Sequence, residues 1–150
     1  MKPLLVLIST FGISLLITKL ASGNYQTALS ARIAMAAMLL FTAIGHFVFT
    51  KGMALMIPEM IPFKTGLVYL TGLLEIAAAI ALLIPGLKLP TGWLLICFFI
   101  LLLPANIYGA IQQLDYQKGT FDGNGIPYLW FRVPLQLLFI VWTYLCTIRF

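Results

Sequence analysis

The chain has 150 residues, 62% hydrophobic and 9% charged, with nine Lys and Arg against four acids and a formal charge of +5. A mean hydropathy of +1.06 leaves too little polar side chain to cover a water-soluble core. The basic residues stand singly at the ends of apolar runs, so the charge reads as membrane topology and headgroup contact; the lipid bilayer is the expected partner, and nucleic acid is not.

Crossing hydrocarbon takes about 20 apolar residues as a helix, because lipid offers backbone groups no other partner. Segment one, Pro3 to Thr18, is uncharged but short. Lys2, the apolar run and Ala21-Ser22-Gly23 have the outline of a secretory signal peptide. The run continues to Lys19 without a small-x-small cleavage site, which favours a retained helix, so residues 1–20 are read as an N-terminal transmembrane helix or uncleaved signal anchor. Segment two spans Ile33 to Thr50 and is interrupted by His46. After it, Gly52 to Lys64 is apolar for a loop, and Pro58 and Pro62 prevent one continuous helix. A short interfacial helix or a re-entrant cap over the bundle is expected there.

Segment three, Thr65 to Ile84, contains Glu75; segment four, Leu89 to Leu114, carries no charge. Asp115 to Pro127, with Gly119, Gly123 and Gly125, predicts a turn-rich surface loop. Segment five, Ile126 to Ile148, has Arg132 near its start. The expected fold is all-α, an integral membrane four-helix bundle over residues 31–150 with an additional N-terminal hydrophobic helix. Cys97 and Cys146 lie in different runs and form no Cys-x-x-Cys pair, so both read chiefly as small apolar core side chains.

Ionisable groups inside a span are costly and point to function by default. Side A denotes the side reached by the ends of segments two and four. Glu75 lies roughly 15 Å inside from side A, His46 about 6 Å and Asn106 about 12 Å, at 1.5 Å per residue. Arg132 and Gln136, four apart at the start of segment five, share a helix face in the same half. Gly72 and Thr71 stand on nearly the same face as Glu75, leaving room for a neighbouring helix. Two readings of Glu75 stand open: a protonated or paired acid locking the bundle, or a group that carries protons or binds a polar headgroup. Arg132 could equally snorkel, and Asn106 or Gln136 could satisfy carbonyls freed by Pro104 and Pro134.

One deep carboxylate, no His-x-x-x-His and no cysteine pair argue against a zinc or di-iron centre. No glycine-rich phosphate loop appears, and a lone histidine is a thin basis for haem. Together His46, Glu75, Asn106, Arg132 and Gln136 suit a polar head on an apolar tail, such as a quinone or another lipid. These residues select neither an enzymatic nor a purely binding role.

A run of motifs then carries a resemblance. Gly45-His46-Phe47, Ile57-Pro58, Ile61-Pro62 and Leu67-Val68-Tyr69-Leu70-Thr71-Gly72 with Glu75 are followed by Pro85 and Gly92. Pro104-Ala105-Asn106-Ile107-Tyr108 and Leu129-Trp130-Phe131-Arg132-Val133-Pro134-Leu135-Gln136 complete the set. From about Arg32 to Trp142 the chain resembles the DoxX family of bacterial membrane proteins. The resemblance implies a compact four-helix membrane bundle in a bacterial inner membrane, with segment one as an addition. It also implies an association with thiosulfate, quinone, thiol or oxidative-stress chemistry, carried out with a membrane or redox protein partner. The missing paired-cysteine motif argues against direct thiol redox catalysis by this chain.

Overall fold

The computed structural model describes residues 2–150. Helix α1 covers Lys2–Ser22, α2 Thr27–Val48, α3 Thr50–Ala54, α4 Lys64–Leu83, α5 Lys88–Ile111 and α6 Leu129–Tyr144. A 3-10 turn at Ile126–Tyr128 leads into α6, and a π-helical turn at Leu145–Arg149 extends it. Among the described residues there is no strand, only an isolated bridge between Asp115 and Thr120. Five helical stretches are long and apolar enough to cross a membrane, counting Ile126–Arg149 as one. At 1.5 Å per residue each spans about the 30 Å of a hydrocarbon core. The chain is a multi-pass membrane protein with an all-α bundle fold.

Helix α2 is central: it packs along α1 and along α4, while α5 pairs with α6 and touches α4. The core draws Leu7 from α1, Met35 and Leu39 from α2, Leu82 from α4, Leu95 and Phe99 from α5, and Leu135 and Phe139 from α6. Large apolar side chains also point outward, among them Leu16, Leu74, Leu94, Leu101 and Leu137, as a lipid-facing surface requires. Segment one, expected to be short, forms a helix of 21 residues. It is built into the bundle, since Leu7 is fully buried and Phe11 meets Trp142 edge-on at 5.0 Å between centroids. Trp142 in turn donates Nε1–H to the Ala31 carbonyl at 3.0 Å, tying the end of α6 to the start of α2.

Small residues set the helix spacings. A Cβ placed on Gly72 would meet His46 Cβ at 2.9 Å and Phe47 Cε2 at 3.3 Å, so this glycine lets α2 and α4 approach closely beside the polar residues. At the opposite end, a Cβ on Gly92 would strike Thr147, where α5 meets the π-helical turn. Of the two cysteines, Cys146 is buried as expected, but Cys97 lies on the exposed face of α5; both are free thiols.

The side A connections close over the bundle. After α3 the chain turns through Pro58 and Pro62, and Phe63 enters α4 in a left-handed conformation (φ 56°) with its ring exposed. Between Gly52 and Lys64, which opens α4, only residues 52–54 are helical, as the end of α3, and the rest is turns. Helix α5 ends in a Schellman-type closure: Leu114 N–H reaches the Gly109 carbonyl at 2.9 Å while Gln113 takes a left-handed φ of 51°. The following loop folds back, with Gly123 N–H on the Gln113 carbonyl at 2.7 Å and Asp115 Oδ1 accepting from the amides of Gln117 and Lys118. Gly52 of α3 lies against the Tyr116 backbone, so cap and loop form one continuous roof.

Candidate functional site

Beneath this roof is a cavity of about 900 Å³. Its walls come from the side A ends of all five spanning segments, beginning with Lys2 and Pro3. Its mouth takes Asp115 to Lys118 and Asp122 to Gly125 from the loop. His46, Glu75, Asn106, Arg132 and Gln136 all line it. The remaining lining is largely apolar, with Met38, Met53, Met56, Leu102, Phe99 and Phe139 prominent. Phe41, Ile44 and Val48 line the cavity and are also exposed, making its wall continuous with the lipid-facing surface of α2.

The five residues form two groups. On α2 and α4, His46 Nε2 lies 3.5 Å from Glu75 Oε1, with both side chains largely buried. The other imidazole nitrogen, Nδ1, is 3.0 Å from Thr71 Oγ1. The Thr71 hydroxyl donates to the Val68 carbonyl at 2.8 Å, a back-bond common for threonine in helices. Thr71 stands four residues before Glu75 and so faces the same way, bringing both side chains to one imidazole. Glu75 is 4% exposed, and its second oxygen, Oε2, is buried with no hydrogen-bond partner among the described residues.

On α5 and α6, Arg132 Nη2 donates to Asn106 Oδ1 at 3.2 Å. Gln136 Nε2 donates to the Phe99 carbonyl at 2.7 Å. Pro104 leaves the Ile100 carbonyl without its helical donor; the carbonyl that Gln136 meets is the one before it, that of Phe99. Gln136 thus bonds a backbone carbonyl, though not one freed by Pro104 or Pro134, while Asn106 serves the guanidinium. Arg132 is half-buried and reaches into the bundle to Asn106.

Sequence reasoning valued Thr71 for its small size and missed its bond to His46; the four-residue spacing to Glu75 was the available signal. It also passed over the mouth. Tyr116 and Tyr128 line the cavity, whereas Tyr69 does not and stacks on Phe47 at 5.7 Å near the surface. Asp122 accepts a hydrogen bond from the Thr120 hydroxyl, which holds its carboxyl below the usual range. Among the described residues no three His, Cys, Asp or Glu side chains gather into a metal-holding group.

The sequence was then compared with known proteins. Residues 35–147, three quarters of the chain, match the family described as Domain of unknown function (DUF8561). The chain belongs to that family. The DUF8561 match begins within α2 and ends in the π-helical turn, so it contains all five polar residues and leaves α1 outside. No curated protein and no solved structure matches the chain.

Proposed function

We propose that this protein is a DoxX-like, redox-associated subunit of a bacterial inner membrane that binds a quinone or similar lipid in the side A cavity. The observation that carries the reading is Glu75: a buried acid whose Oε2 has no partner among the described residues, in the wall of a cavity otherwise largely apolar. Leaving a buried polar oxygen unpaired costs about 1–3 kcal/mol, and a ligand head that donates a hydrogen bond would recover it. The apolar wall opening towards lipid beside α2 suits the ligand's tail. The DoxX resemblance adds the redox setting and a membrane or redox protein as partner.

The expected result is a quinone-like lipid that stays with the protein through purification and is detected by mass spectrometry of its lipid extract. Glu75→Leu and Arg132→Ala should each lower the amount retained several-fold, one by removing the free acceptor and the other the guanidinium opposite. Unchanged retention in both variants would refute the site.

A second reading, a non-catalytic lipid-binding or assembly subunit of a membrane complex, is favoured by the internal bonds of Gln136 and Arg132. Its sign is a single partner complex that co-purifies and loses activity without this chain, while the bound lipid is never turned over.

A further inference from the structure

The contacts of His46 with Thr71 and Glu75 bear on the character of the unpartnered oxygen. Thr71 has one hydroxyl hydrogen, which it gives to the Val68 carbonyl. Its oxygen must then accept from His46, so Nδ1 carries a hydrogen. His46 Nε2 and Glu75 Oε1, 3.5 Å apart, would face each other as two acceptors unless one of them carries a further proton, so the pair is read with one proton, on the carboxyl or on the imidazole. In the first case Oε2 is the carbonyl oxygen of a neutral acid; in the second it is half of a carboxylate. Both leave Oε2 a hydrogen-bond acceptor. Among the described residues no donor meets it. The donors of the cavity wall that have partners find them elsewhere: Thr42 on the Met38 and Leu39 carbonyls, one Gln136 N–H on Phe99, and one Arg132 nitrogen on Asn106.

From this geometry we infer that the cavity selects an amphiphile whose head carries a hydroxyl, and that Glu75 Oε2 accepts that O–H. This inference rests on the proposed lipid-binding role and narrows it: among quinone-like heads the site takes the hydroxylated form, a hydroquinone or phenol, in preference to one bearing only carbonyl or ether oxygens. A ligand with acceptors alone would leave Oε2 as unsatisfied as the empty cavity does. A ligand with a hydroxyl would satisfy it whichever atom of the His46–Glu75 pair holds the shared proton.

The test compares decyl-hydroquinone with its dimethyl ether, which keeps ring and tail and lacks the O–H. Binding to the full-length protein in detergent, under anaerobic reducing conditions, is read from the ligand-dependent rise in unfolding temperature. The hydroquinone should bind at least about tenfold more tightly than the ether, the equivalent of one net hydrogen bond. In Glu75→Leu the preference should vanish while the ether still binds, which also shows that the variant is folded. Equal affinities for the two probes in the wild-type protein would overturn the hydroxyl preference and leave the lipid-binding role standing. If neither probe, nor the parent quinone, binds, the role itself falls and the preference with it.

Discussion

Replacing Gly72 with alanine should cost the bundle about 1–3 kcal/mol and lower ligand retention at the same time. In an exposed helix the same change normally stabilises by roughly 1 kcal/mol, because alanine is the better helix former. Here the new methyl would stand 2.9 Å from His46 Cβ and 3.3 Å from the Phe47 ring. A Cβ cannot swing aside like the end of a flexible side chain, so relief requires α2 to move away from α4. That movement stretches the contacts from His46 to Thr71 and Glu75, which are 3.0 and 3.5 Å. Gly66→Ala supplies the control: it lies on the same helix and a Cβ there meets nothing within 4 Å, so stability should hold or rise. Thermal unfolding in detergent, followed by lipid extraction of each variant, reads both effects. Parallel behaviour of the two variants would show that the close approach at Gly72 does not hold the site together.

Gly52→Ala should unroof the cavity. Its Cβ would fall on the Tyr116 carbonyl, with the carbonyl carbon at 2.6 Å and Cα at 3.0 Å. Backbone faces backbone, so either α3 or the 112–125 loop must lift. Overpacking of this kind costs about 1–3 kcal/mol, which falls mainly on the roof because the spanning helices make their contacts elsewhere. The expected outcome is several-fold faster proteolytic cleavage within residues 117–124, with helix content by circular dichroism unchanged and retained lipid reduced. Cleavage at the wild-type rate would mean that the roof tolerates the methyl and does not bear on Gly52.

Much of the bundle was readable because lipid imposes a simple rule: long apolar runs become helices. The ends were less so. Helix α2 starts at Thr27, ahead of the expected Ile33, because Arg32 is accommodated with its Nε on the Ala28 carbonyl and does not end the helix. Helix α5 stops at Ile111, before the expected Leu114, since Gln113 adopts a left-handed turn for which its residue type gives no warning. Depth along the helices placed the five polar residues in one half, as rise per residue is nearly invariant. Their pairing was hidden. It depends on how helices rotate against one another, and so on contacts such as Gly72 against His46 and Gln136 against the Phe99 carbonyl. The roof was equally hidden, because Gly52 meets Tyr116 across many residues of chain.

The central claim is that these side chains surround a ligand. A structure of the purified protein in lipid tests it most directly. Such a structure should show non-protein density in the side A cavity, within hydrogen-bonding distance of Glu75 Oε2 and between the His46 and Arg132 sides. A cavity closed by side chains, with both Glu75 oxygens bonded to the protein itself, would contradict it and make the acid a lock within the bundle.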